Sequence, residues 1–127
     1  MTARLAALAA LLPLPAIACE PPLRGEGVRT IAGSQVVVSW RAPTPLPLAT
    51  FFSLEFAACA RDGRRVDTPR IDATMPEDGH GMNYRPTVEA LGDGRYRANG
   101  LLLHMPGRWQ LSFTVGDETL RAVLMVD

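Results

Sequence analysis

The sequence predicts an all-β protein, an antiparallel β-sandwich of seven or eight short strands. Several runs alternate apolar and polar residues with the period of two that marks a half-buried strand. Turn residues recur between those runs at roughly ten-residue spacing, as at Asp62-Gly63, Gly92-Asp93-Gly94, Pro106-Gly107 and Gly116-Asp117. No stretch after residue 18 combines helical periodicity with capping residues.

The chain begins with an apolar leader. Residues 1–18 carry a single Arg4, then an apolar run, then Ala16-Ile17-Ala18. Small-x-small after a short apolar run is the pattern of a cleaved export signal. The run holds Pro13 and Pro15 and is shorter than a comfortable membrane span. The expected mature protein is thus a single domain over residues 19–127, located in a periplasm.

Within that domain Glu20–Gly27 reads as a polar arm containing prolines, and Val28–Ile31 as a short edge strand. Val36, Val38 and Trp40 alternate with Val37, Ser39 and Arg41 as a strand. Ala42–Pro47 is too rich in proline to supply ladder donors and reads as a connector. Phe52, Leu54, Phe56 and Ala58 form the next apolar face, and Val66–Met75 the next extended run, stopped by Pro76. Glu77–Asn83 is expected as a loop, with glycines on both sides of His80 freeing its backbone. Thr87–Leu91 and Tyr96–Leu103 flank a hairpin turn. Trp109, Leu111, Phe113 and Val115, then Leu120, Ala122, Leu124 and Val126, supply the last two strands.

Thirteen Arg and no Lys balance thirteen Asp plus Glu. No basic stripe arises, which argues against a nucleic-acid partner. The two cysteines, Cys19 and Cys59, have three readings. They suit a disulfide in an oxidising compartment. Cys19 also follows the cleavage pattern as a lipid-modified first residue would, which is the route by which the protein would meet a membrane. A copper thiolate is the third reading.

The candidate chemistry gathers in two segments, Ile71–Arg85 and Leu101–Trp109, which hold both histidines and three of the five methionines. Imidazole and thioether donors together suit a soft ion such as Cu(I). The candidate ligands are His80, Met82, Met75, His104 and Met105. His80 has no core to fill, whereas Met75 shares a face with Ile71 and Ala73 and serves packing equally well. His104 and Met105 point to opposite faces if extended. Counting from Tyr96 puts His104 inward, and a bulge at Asn99-Gly100 reverses this, turning Leu101, Leu103 and Met105 inward. Asp72, Glu77 and Asp78 near His80 make a harder ion such as zinc conceivable. No nucleophile motif and no phosphate loop is present, so no enzymatic activity is expected. A metal-free alternative is an interaction module that binds a protein partner through the 76–83 loop.

The ordered motifs MPEDGHGM and GDGRYRANGLLLHMPGRWQLSF resemble those of the YtkA-like/FixH-like domain family of exported or membrane-attached bacterial proteins. The resemblance extends over about residues 36–126. The loop motif falls on Met75, Pro76, Gly79 and His80, and the turn motif on Met105, Gly107 and Trp109. Met82 and His104 lie outside it. The resemblance implies an immunoglobulin-like sandwich. It also implies a role in copper handling, with a protein partner in copper delivery such as cytochrome oxidase during its assembly.

Overall fold

A computed structural model describes residue 2, residues 6–12 and residues 19–127. The expected cleavage pattern at Ala16-Ile17-Ala18 lies outside the described residues. Residues 6–12 adopt no regular structure and leave Leu8, Leu11 and Leu12 exposed. Among the described residues no helix is long and apolar enough to cross a membrane.

Nine strands are formed by the described residues: β1 (Arg29–Ala32), β2 (Val36–Arg41), β3 (Phe52–Ala60), β4 (Arg70–Met75), β5 (His80–Gly81), β6 (Thr87–Gly92), β7 (Arg95–Leu101), β8 (Gly107–Val115) and β9 (Glu118–Val126). They build two antiparallel sheets, in the orders β1-β2-β3-β7-β6 and β5-β4-β8-β9. The chain changes sheet after β3, β5 and β7. This reproduces the immunoglobulin arrangement of an A-B-E-D sheet over a C′-C-F-G sheet, with β1 added at one edge. The count exceeds the expected seven or eight because β5 is a two-residue strand inside a segment that reads as loop.

The period-two runs become the facing layers of the core. Val36, Val38, Trp40, Phe56, Tyr96 and Ala98 project from one sheet, and Ala73, Trp109, Leu111, Phe113 and Leu124 from the other. Phe113 bridges the layers, with ring centroids 5.3 Å from Phe56 and 6.1 Å from Trp40. Such tilted aromatic pairs contribute about 0.5–1.5 kcal/mol each beyond the area they bury. Strand β4 starts only at Arg70, because the buried Pro69 before it cannot donate to a ladder.

One part of the packing departs from the sequence expectation. The arm from Cys19 to Val28 lies against the outer face of the first sheet. Cys19 is disulfide-bonded to Cys59 at the end of β3, with their Cα atoms 6.0 Å apart. Pro21 and Leu23 are buried, and Gly27 lies against the Arg41 side chain at the far end of β2. Val37, Ser39 and Ala57, whose parity turns them away from the inter-sheet core, are buried as well. The arm therefore runs along β2 as a covering strap and gives that sheet a second apolar face.

Candidate metal centre

The immunoglobulin topology decides where the two candidate segments meet. The β4–β5 turn and the β7–β8 segment both emerge at the same pole of the sandwich, together with the connector between β2 and β3. The backbone N–H of Ala49 in that connector donates to the Leu103 carbonyl at 2.8 Å. The His80 and His104 rings stand 6.2 Å apart, centroid to centroid, and are tilted by 50°. Residues 24 positions apart in the chain are thus neighbours in space.

His80 reaches this position through the short ladder of β5. Pro76 stops β4 and opens a four-residue turn over 76–79, after which His80 pairs with Met75 and Gly81 with Thr74. Cross-strand partners point to the same face of a sheet. Met75 faces the core and is only 3% exposed, so His80 sits on the inward face at the sheet edge, open to solvent. Glu77 in the turn pairs with Arg108 at 3.4 Å, which ties the turn to the start of β8.

His104 arrives by a different device. Phe52 pairs with Leu101 and Leu54 with Ala98, so two steps on β3 face three on β7. The inserted residue is a bulge at Asn99-Gly100, where Gly100 adopts a φ of +83°. It turns Leu101 and Leu103 into the core, both fully buried, which is the second of the two registers open from sequence. The strand ends at Leu101, so His104 is freed from strict alternation. Its ring lies edge-on to Trp109 at 5.5 Å. The Trp109 Nε1–H donates to the Met105 carbonyl at 2.9 Å, closing the loop that carries both residues. From its strand pattern Trp109 reads as core, and the family resemblance places it in the turn motif. Its additional role follows from its place four residues after Met105, with the turn at Pro106-Gly107 between them.

The donors can be ranked by geometry. An imidazole nitrogen binds a metal at about 2.0–2.1 Å, so two rings sharing one ion stand roughly 5–6.5 Å apart between centroids. The observed separation falls in that range. His104 Nδ1 is buried and has no hydrogen-bond partner, an arrangement that costs about 1–3 kcal/mol unless an ion or water satisfies it. Met75 packs its methyl toward the start of β8, where a Cβ on Gly107 would stand 3.0 Å from Met75 Cε. Met105 is half-buried and packs on the core. Met82 continues the β5 ladder by donating its N–H to the Ala73 carbonyl at 3.3 Å. It lines a cleft with Ile71, Tyr84 and Val88, and none of the other four candidate donors borders that cleft.

The harder ligand set does not assemble. Among the described residues no three His, Cys, Asp or Glu side chains converge as a metal site. Asp72 accepts from the Ala73 N–H, and Glu77 is engaged by Arg108. The remaining candidate donors of the two segments are the thioethers of Met75, Met82 and Met105. Both cysteines are consumed by the disulfide, so a copper thiolate is not formed.

No protein-family model, curated protein or solved structure matches the chain. What the pole can do must be inferred from its own chemistry.

Proposed function

We propose that this is an exported copper-binding protein that holds one Cu(I) ion between His80 and His104, with thioether sulfur completing the coordination. Met75 is the cross-strand partner of His80, Met105 follows His104 in the chain, and Met82 lies two residues beyond His80. The observation that carries this reading is the 6.2 Å ring separation at a pole furnished with methionine. Two imidazoles plus thioether suit a soft monovalent ion better than zinc, magnesium or calcium. The resemblance of the loop and turn motifs to the YtkA-like/FixH-like domain points the same way. The physiological role in this reading is copper handling or delivery to a cuproenzyme such as cytochrome oxidase, and the Cys19–Cys59 disulfide is compatible with an oxidising compartment.

An anaerobic Cu(I) titration against a competing chelator tests the proposal. One ion should bind per chain. His80→Ala and His104→Ala should each weaken binding at least tenfold, while Met125→Ala, at a 61% exposed residue of β9, should not. Wild-type binding no stronger than that of the His80→Ala/His104→Ala double variant would remove the copper assignment.

The metal-free alternative draws on a separate observation. Phe51 and Tyr84 are both more than half exposed and meet edge-to-face at 4.9 Å beside the same loop. An exposed aromatic pair of this kind is a common anchor in protein interfaces. Capture of a partner that is lost in Tyr84→Ala and indifferent to copper would favour this module over the copper site.

A further inference from the structure

The four edge strands of the two sheets are unequally protected. β1 has four residues and β5 two, and β6 is interrupted by a register shift between Ala90 and Gly92. β9 instead runs nine residues, without proline or bulge, in unbroken register with β8. Edge strands are ordinarily kept from pairing by shortness, proline, bulges or charge. Beyond Glu118 the charges on β9 and its end are Arg121 and Asp127.

One bond shows which backbone groups stand open. The Arg29 guanidinium, on β1 of the opposite sheet, donates to the Val123 carbonyl at 3.1 Å. That carbonyl therefore points away from β8. Alternate residues of a strand share a direction, so the N–H and C=O groups of Arg121 and Met125 point outward with those of Val123. β1 pairs with β2, and among the described residues no backbone bond reaches this edge of β9. The first part of β9 is covered, because Glu118 is held by Ser34, Gln35 and Val36. Beside the second part opens a cleft of about 830 Å³, bordered by Val123, Met125, Asp127, Leu46 and Leu48. The accessible stretch is thus 121–127.

That stretch is complementary to itself. Two copies laid antiparallel about a two-fold axis at Leu124 set Arg121 opposite Asp127 and Val123 opposite Met125, each twice by symmetry. Hydrogen-bonded pairing needs outward-pointing backbone groups at all of these positions, and the parity of β9 supplies them. Opposite charges meet at both ends and apolar side chains in the middle, both favourable cross-strand pairs. Met125 is 61% exposed in the single chain. Neither Arg121 nor Asp127 forms an ion pair of its own among the described residues. Moving the axis one residue either way sets Arg121 against Met125 or Asp127 against Val123 and loses the charge match.

We propose that the protein self-associates through β9, a two-fold dimer that joins the four-stranded sheets of two copies edge to edge. The Met125 N–H of the second copy takes the place of Arg29 on the Val123 carbonyl. Arg29 keeps a second contact, over the Trp40 ring at 4.7 Å. The paired stretch is short, so the dimer belongs to the weak, reversible class. His80 and His104 take no part in it.

Sedimentation equilibrium of the metal-free protein over about 10–500 μM, the range of a weak pair, tests the proposal. A monomer–dimer equilibrium is expected. Arg121→Asp and Asp127→Arg should each weaken it at least tenfold. The double variant Arg121→Asp/Asp127→Arg should return to within about threefold of wild type, which a merely structural effect of either change would not do. Arg70→Asp makes the same charge change at an exposed position of β4 and should stay within twofold. A wild-type chain that is monomeric throughout would leave the edge to some other protein's strand and overturn the second-copy assignment. So would Arg121→Asp dimerising as wild type does, a double variant that recovers nothing, or an equal loss in Arg70→Asp.

Discussion

Replacing Trp109 with Phe probes the link between the core and the histidine pole, because it removes no candidate ligand. Trp109 is fully buried, holds the Met105 carbonyl through its indole N–H, and supports the His104 ring. Losing a buried hydrogen bond and leaving that carbonyl without its donor costs about 1–2 kcal/mol. A ring smaller by roughly 40 Å³ adds about 1 kcal/mol if the cavity does not collapse. Weakening the edge contact to His104 adds on the order of 0.5 kcal/mol. The sum is a loss of about 2.5–3.5 kcal/mol, or a fall in Tm on the order of 10 °C for a domain of this size. Urea denaturation followed by circular dichroism measures the first effect, and the Cu(I) competition titration measures the second. Copper affinity should fall severalfold because the 104–106 loop is no longer closed. A control such as Phe113→Leu should destabilise the same core and leave copper affinity unchanged. A wild-type unfolding midpoint for Trp109→Phe, or equal copper loss in both variants, would refute the reasoning.

Three further outcomes are expected. Gly107→Ala should destabilise by about 1–3 kcal/mol, since Gly107 adopts a φ of +123° and a Cβ there meets Met75 Cε at 3.0 Å; an urea midpoint equal to wild type would contradict it. Glu118 accepts hydrogen bonds from the Ser34 hydroxyl and from the backbone N–H groups of Ser34, Gln35 and Val36, and the Ser34 bond chiefly lowers its pKa. A depressed folded-state pKa gives stability that is present above the unfolded carboxylate value of about 4.3 and lost as pH falls through the folded one. Glu118→Gln should therefore be less stable than wild type at neutral pH, with the gap closing on acidification in paired denaturation curves. Reducing the disulfide, whose cysteines are 40 residues apart, should cost about 2–4 kcal/mol in the chain-entropy account and open the strap to trypsin after Arg24. Unchanged protease resistance in the reduced protein would show that the arm holds its place without the bond.

Much of the fold was legible because its strands obey simple parity. Val36, Val38 and Trp40, the Trp109–Val115 run and the Leu120–Val126 run all put their expected faces inward. Legibility failed where a residue's environment is set from outside its own strand. Val37 and Ala57 are buried by an arm that lies outside their own strands, and nothing in a period of two announces that cover. Strand β5 is invisible because two residues with a glycine carry no pattern, and it exists only through pairing with β4. The register at His104 hung on a one-residue bulge at Gly100, where glycine permits either outcome. The approach of His80 to His104 depends on which turns share a pole, and only the sheet order decides that. Residue type singled out the candidate donors, and topology brought the two imidazoles together.

X-ray absorption at the copper edge of the Cu(I)-loaded protein tests the copper assignment most directly. The ion should show a mixed shell, two nitrogens at about 2.0 Å and at least one sulfur at about 2.3 Å, close to zinc–imidazole and zinc–thiolate distances. His104→Ala should remove one of the nitrogens. A shell of nitrogen and oxygen alone, or one unaltered by His104→Ala, would contradict a copper ion held between the two histidines.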